Sequence, residues 1–538
     1  MPSRLPREPP QRLSSIASWG ITYLKNRLRI DTRTLALFRI SAALIIITEV
    51  LLRARNFTFF YTDEGVVPRD FAMERTVDYA FSLYFLTNDT RVVALLFVLH
   101  ILVALQLLVG YKTRVAIVLS FLFVVSLDYR NPFINSYADT LFRLLLFWAM
   151  FLPLGERWSI DALLRDRAPK DAFLGFASAL ILAQMSYMYV RNGIHKLEGD
   201  QWLDGTAAPL ILSRDDITFF LGEYAHHVAP LLEYGTYLWT AMMVFGFVLI
   251  LAPGRLRYPL IVLYMGGHFS FAVTVRIGMF PYVAMAGLLL FIPAVFWDDL
   301  DRLSKRVGSA LERKTGLTLS RTAMRERFRP VQDRLRRLPR LDIGYQDIRA
   351  GVYTFGIYLV VVTIVLVLAL SGLQYVGAVS EDANYDAEVH QVANSFNIDQ
   401  PDFSIFAPNP GTNDRYFVIP AETENGEVID IYNDRENATL DRPGDQLQVQ
   451  YEGYRERFFM NSIRGASTND TLPDRYAEWL CETETGPDGE PIKRMDIWVI
   501  TEEVTMDSLN DPDEREQSRR ISHRYACGDH EEAPVSTA

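Results

Sequence analysis

Cysteine is nearly missing from this chain: two in 538 residues, too few for a disulfide framework. Histidine is scarce as well. The eight histidines and two cysteines form no tight ligand cluster, so no metal centre is expected. Also missing are a Cys-x-x-Cys pair, a phosphate-cradling glycine loop and a nucleophile elbow. The first 30 residues carry no apolar core, so no cleavable signal peptide is expected and the first hydrophobic segment is expected to direct insertion. A basic excess is lacking too. The net charge is −11, which argues against a nucleic-acid partner.

What is present is divided unevenly. Residues 380–538 hold 13 Lys and Arg against 35 Asp and Glu, a balance of −22, which leaves +11 for the first 379 residues. Opposite charge and opposite hydropathy in the two parts mean two regions in two solvents.

Nine predominantly apolar windows approach the length that crosses a hydrocarbon core: 34–53, 92–110, 114–128, 137–154, 172–191, 233–252, 258–275, 279–297 and 350–372. The positive-inside bias orients them. The basic arm with Arg4, Arg7 and Arg12, the turns at 111–114 and 254–257, and the stretch Arg302 to Arg340 with its 13 Lys and Arg all fall on one side. The fold class expected is a mainly α-helical polytopic membrane bundle of about nine transmembrane helices with a C-terminal extracytoplasmic β-rich domain. Its expected parts are a cytoplasmic basic arm (1–32), a membrane bundle (33–297), a basic cytoplasmic connection (298–348), a last span (349–373) and an acidic outer domain (380–538). The connection is expected to lie on the anionic inner leaflet as an amphipathic helix.

The outer domain reads as folded. Stretches such as Tyr416–Ile419, Val428–Ile431 and Asp496–Ile500 alternate with turn signals at Asn425-Gly426 and Asp488-Gly489. Its acidic, lysine-poor composition resembles that of proteins from salt-loving organisms. Cys481 and Cys527 both fall in it, where an oxidising compartment would permit a disulfide.

Ionisable groups inside spans are costly, so each is a candidate functional group. The windows contain Arg39 and Glu49, His100, Asp139 and Arg143, and His268. Asp139 and Arg143 stand at i,i+4 and are expected to neutralise each other on one helix face. His100 stands among Leu and Val and reads as a packing residue. His268 follows Gly266-Gly267, which permits close backbone approach. The outer loop at 191–210 carries His195, Lys196 and, six residues on, Trp202. A snorkelling lysine with an interfacial tryptophan accounts for this pattern. So does a partly buried lysine whose neutral amine serves as a base.

Several segments together resemble the HTTM (horizontally transferred transmembrane domain) family, related to vitamin K-dependent gamma-glutamyl carboxylase. They are Leu35-Ala36-Leu37-Phe38-Arg39, the loop from Phe60 to Arg69, Asn131-Pro132 through Asp139 to Arg143, His195-Lys196-Leu197 with Trp202-Leu203-Asp204-Gly205, His268 with Ile277 to Phe280, and Phe406-Ala407-Pro408-Asn409-Pro410. The resemblance implies that Lys196 matches the base that deprotonates a reduced quinone. It also puts Asn135, before Ser136-Tyr137, where the carboxylase has a histidine that assists that base. An amide can only orient or hydrogen-bond, so the resemblance stops short of implying glutamate carboxylation.

The expected site is therefore Lys196, Asn135 and His268 as catalytic residues, with His195, Trp202, Asp139, Arg143 and Arg39 lining a pocket open to lipid. The residues themselves assign no cofactor; the resemblance suggests a reduced membrane quinone as the candidate, and the expected partners are the bilayer and an exported peptide or protein at the outer domain. The alternatives are a non-catalytic membrane-anchored recognition or scaffold protein, and a transport or immunity-like protein.

Overall fold

The computed structural model describes residues 11–315, 395, 396, 398, 400–467 and 470–537. The window at 350–372, residues 316–348 of the basic connection and the start of the outer domain lie outside the described residues.

The N-terminal part is helical. Its main helices are α1 (Gln11–Arg27), α2 (Thr32–Arg53), α3 (Thr90–Val109), α4 (Thr113–Arg130), α5 (Tyr137–Ala149), α6 (Phe176–Lys196), α7 (Ala229–Val244), α8 (Arg257–Thr274), α9 (Phe280–Leu289) and α10 (Ala294–Thr315). Local chemistry sets their ends. Asp31 and Asp89 cap α2 and α3 by accepting from backbone N–H groups of the first turn. Gly110 ends α3 in the left-handed region at φ 69°. Ser136 and Asp139 form a capping box that starts α5.

Eight of the nine apolar windows fall on helices, but most do not qualify as spans by length and composition. Among the described residues, two helical stretches are long and apolar enough to cross a membrane: Thr32–Tyr61 and Thr90–Val109. A third qualifies only if the pair Phe280–Leu289 and Ala294–Val307, bent by 86°, counts as one. Pro293 lies at that bend, where a missing N–H interrupts the helical ladder. The remaining helices are too short, too charged or insufficiently apolar.

The helices pack in chain order from α2 to α7, and α9 lies against α2, α5, α6 and α8. The short strands β1 (Ile30–Asp31) and β2 (Ala172–Phe173) pair antiparallel, tying the start of α2 to the start of α6.

The C-terminal domain is an antiparallel sheet of β3 (Asn413–Val418), β4 (Pro420–Thr423), β5 (Val428–Asp430), β6 (Ile492–Glu503) and β7 (Gln517–Ala526). The twelve-residue β6 organises it. Its C-terminal half pairs with β3 and its N-terminal half with β4, while β7 pairs along it from Arg494 to Glu502. The anticipated turns at Gly426 and Gly489 both hold positive φ, which glycine adopts without a Cβ penalty. Two helices, α11 (Tyr454–Gly465) and α12 (Leu472–Thr483), complete the domain. A disulfide joins Cys481 on α12 to Cys527, just past β7.

One continuous buried cluster runs from Phe38, Leu145 and Met185 in the helical part to Phe417, Phe459 and Ile497 in the sheet domain. The sheet domain is therefore packed onto the helices, not tethered beside them. It covers the helix ends that carry Arg53, Asp128 and Lys196.

Candidate functional site

Lys196 ends α6 and is 1% exposed. It lies beyond the apolar window at 172–191, in the layer where the sheet domain meets the helices. Its Nζ sits 3.4 Å from the centre of the Trp202 ring and donates to the carbonyls of Ile405 (2.9 Å) and Phe406 (3.4 Å). No carboxylate pairs with it among the described residues. Burial alone pushes its ammonium well below the ordinary lysine range.

The carbonyls belong to a strap, residues 403–408, that crosses this site. Trp202 Nε1 donates to Phe406 O at 2.7 Å. Asn192, one turn before Lys196, donates through Nδ2 to Phe403 O and Ile405 O. Tyr137 and Ser404 bond through their hydroxyls at 2.9 Å. A Cβ on Gly199 would run into the carbonyl of Pro408, so glycine there is required by close approach. Phe403 and Phe406 hold left-handed backbones at φ 48° and 52°. For a non-glycine residue that conformation costs on the order of 1–3 kcal/mol, a cost the convergent donors offset.

His268, on α8, is buried. Its Nε2 bonds the Tyr189 hydroxyl at 2.9 Å, and its ring meets Trp239 edge-on at 5.4 Å. Tyr189 and Lys196 stand on one face of α6 seven residues apart, about 10 Å along the axis. Trp239 also borders the small core around Trp202, Ile211 and Ile217, against which Phe406 packs. Aromatic contacts thus run from His268 to the lysine, without a direct bond between the two.

Asn135 is half-buried. Its Nδ2 donates to Asp128 O at 2.8 Å, and its Oδ1 has no hydrogen-bond partner among the described residues. No direct bond joins it to Lys196, but Tyr137, two residues on, touches the same strap. His195 turns away from Lys196, its Nδ1 reaching Glu198 at 3.4 Å.

Asp139 and Arg143, the expected i,i+4 pair, both have further partners in the structure. The capping box aims Asp139 Oδ2 at Ser136 N and Oγ, while its Oδ1 accepts from Arg53 (2.9 Å) and from Arg455 of α11 (2.9 Å). Arg143 binds Asp128 at 2.5 Å and Thr140 at 2.9 Å. Arg53 also binds Asp128 at 2.7 Å, and Arg455 binds Glu49 at 2.7 Å. Three guanidiniums and three carboxylates thus form one buried cluster that includes a residue of the sheet domain.

Arg39 is not part of either group. It lies fourteen residues before Arg53, about 21 Å along α2. There it donates to the carbonyls of Leu108, near the end of α3, and of Leu154, Arg157 and Trp158 in the loop after α5, at the opposite end of the bundle.

Asn192, Tyr189 and Trp239 were not singled out in the sequence. Their only signals were a polar residue one turn before Lys196 and aromatics on neighbouring apolar helices. Arg455 and the strap lie more than 200 residues from Lys196, and no spacing rule links them to it.

The family model of the HTTM domain matches residues 27–297, which include Lys196, Asn135 and His268. The chain belongs to the HTTM family. With its apolar helices, that membership marks a membrane protein of a carboxylase-like kind. No curated protein and no solved structure matches the chain.

Proposed function

We propose that this chain is a multi-pass membrane enzyme in which Lys196 is a general base toward an acidic hydroxyl of a lipid-soluble substrate, such as a reduced membrane quinone. One observation carries the reading. A lysine 1% exposed, with no carboxylate beside it among the described residues, is biased toward the neutral amine that a base requires. On taking the proton, its Nζ becomes an ammonium over the Trp202 face, where a cation–π contact stabilises it. The Ile405 and Phe406 carbonyls accept its N–H groups. His268 and Tyr189 would meet a more distant part of a substrate about 10 Å long, and Asn135 offers an open amide oxygen on the other side of Tyr137.

In this reading the N-terminus is cytoplasmic and the sheet domain extracytoplasmic, presenting an exported peptide or protein to the site. A single cysteine placed at Lys112 or at Asn425 tests the orientation. Only the Asn425→Cys variant is expected to react with a membrane-impermeant thiol reagent on intact cells, since the native cysteines are joined to each other. Labelling of Lys112→Cys instead would reverse the topology.

The chemistry is tested with Lys196→Ala and Lys196→Arg. Both are expected to insert normally and to lose quinol consumption in purified membranes. Unchanged turnover in Lys196→Ala would remove the base assignment. It would favour the scaffold reading, which draws on the fact that the strap carbonyls already engage Lys196, Trp202 and Asn192.

A further inference from the structure

A second group of guanidiniums lies within the sheet domain, apart from the ion cluster. Arg415 stands two residues before Phe417 on β3, so both side chains leave the same face of the sheet. Phe417 pairs with Val499 on β6, and Val499 with Arg520 on β7, which puts Arg520 on that face as well. Helix α11 packs across it through Phe459 and Ile463, and Arg520 donates to the Arg464 carbonyl at 3.1 Å. Arg457 and Arg464, seven residues apart, share one face of α11. Tyr451 meets the Phe417 ring edge-on at 6.4 Å, and its phenol interacts electrostatically with Arg415, Arg457 and Arg464 alike.

These three guanidiniums are short of acceptors. Arg457 is only 9% exposed, yet among the described residues its side chain makes one hydrogen bond, to the Arg276 carbonyl at 3.5 Å, and its Nε makes none. Arg464 Nε is likewise buried without a partner among them. Half-buried Arg415 has no side-chain hydrogen bond or ion pair among them. The carboxylate that reaches Arg415 and Arg457, Asp216, is already gripped at both oxygens by Arg214, at 2.8 Å. Glu456 turns instead to Tyr432 and the Glu452 N–H. Burial, with the guanidiniums of Arg214 and Arg464 beside it, pushes Arg415 down to about 10. This excess of positive charge sits inside the acidic part of the chain, whose balance is −22.

We propose that Arg415, Arg457 and Arg464 bind a tetrahedral oxyanion, phosphate or sulfate, between β3 and α11, with the Tyr451 hydroxyl as a further donor. Guanidiniums hold oxyanions through paired N–H donors. Donors that arrive from a strand and from two turns of a helix suit a centre with oxygens in several directions. A planar carboxylate is already satisfied by the fork of one guanidinium. Three unpaired positive charges also call for an anion of more than one negative charge. Arg520, exposed at the edge of the group, marks the side from which the anion enters. The site is independent of Lys196 and of the chemistry proposed there.

The test uses the full-length protein in detergent at fixed ionic strength, with chloride replaced stepwise by inorganic phosphate, sulfate or acetate. Phosphate and sulfate are expected to raise the melting temperature along a saturating curve, and acetate is not. Arg415→Gln and Arg464→Gln are expected to weaken phosphate binding about tenfold or more, the effect of one charge-assisted hydrogen bond. Arg519, which pairs with Ile500 on the opposite face of the sheet, is the control, and Arg519→Gln is expected to bind phosphate like the parent. Without phosphate, Arg415→Gln and Arg464→Gln are expected to be at least as stable as the parent, since no protein acceptor loses its donor. A marked loss of stability there would make the guanidiniums structural and overturn the proposal. So would a linear rise shared by all variants, the mark of general anion exclusion, or acetate binding as tightly as phosphate. A response to soluble short-chain phosphatidate but not to inorganic phosphate keeps the tetrahedral ligand and assigns it to a lipid headgroup. If the variants do not fold, a high-resolution map of the wild type in sulfate decides: a peak within about 3.2 Å of two of the three guanidiniums supports the site, and its absence overturns it.

Discussion

Lys196 Nζ and Trp202 Nε1 converge on a single acceptor, the carbonyl of Phe406, while the ammonium also lies over the Trp202 ring 3.4 Å from its centre. One tryptophan therefore both faces the lysine and helps to hold the strap that covers it. The two roles separate by substitution. Trp202→Phe keeps an aromatic face and loses the donor, at about 1 kcal/mol for the hydrogen bond. Trp202→Leu loses the face as well, at roughly a further 0.5–2 kcal/mol. Protease accessibility of the strap at 403–408 is expected to increase in both variants, more in the leucine variant. Equal protection in the parent and both variants would mean that Trp202 does not hold the strap.

A buried base leaves a kinetic signature. Burial pushes Lys196 below the ordinary lysine range. Turnover of a quinol substrate is therefore expected to rise with pH along a limb whose midpoint lies well below the ~10.4 of an exposed lysine. Lys196→Arg, protonated throughout, is expected to lose that limb along with roughly 10²–10⁴-fold of the rate. A limb that survives in the arginine variant would belong to another group.

Much of the helical part was legible because apolar stretches of α2 to α9 stand out against short polar connections. The number of true crossings was less legible: windows such as 137–154 and 279–297 run across helix breaks near Ala149 and Pro293. In the sheet domain the strands showed through their alternation, but α11 and α12 did not. Their amphipathic faces mix arginine and glutamate with aromatics, as in Tyr454-Arg455-Glu456-Arg457-Phe458-Phe459, and short strands can share that composition. The lysine and the tryptophan of the candidate site were readable because they stand only six positions apart. Their partners were not. Asp139 has a basic neighbour at i+4, and it also bonds Arg53 and Arg455, 86 and 316 positions away. A capping box turned the carboxylate toward the helix start, and only tertiary packing shows what waits there.

Glu456 gives the sheet domain a pH dependence of definite sign. It is half-buried on α11, accepting from the Tyr432 hydroxyl and from the Glu452 backbone N–H. Burial pushes its carboxyl up to about 7. The folded state then holds a proton that the unfolded chain releases near 4.5. The resulting stabilisation is complete below pH 4.5 and is lost as pH rises to about 7. Glu456→Gln removes this dependence. Plotted against that variant, wild-type stability is expected to fall between these two values and to run parallel on either side. Parallel curves throughout would show that Glu456 titrates normally.

Arg455 is the group on which the joint between the two parts depends most. It donates to Glu49, to Asp139 and to the carbonyl of Ile134, and it is the member of the ion cluster supplied by the sheet domain. Without it, Arg53 and Arg143 face three carboxylates, and one buried negative charge is left uncompensated. Breaking a buried pair from one side costs about 3–5 kcal/mol, so Arg455→Met is expected to release the sheet domain to proteolysis at temperatures the parent tolerates. A double substitution separates lost charge balance from lost packing. Arg455→Met combined with Glu49→Gln restores neutrality and is expected to recover part of the loss. If the double variant is no more stable than Arg455→Met alone, the contribution of Arg455 lies in its packing and its bond to Ile134 and not in its charge.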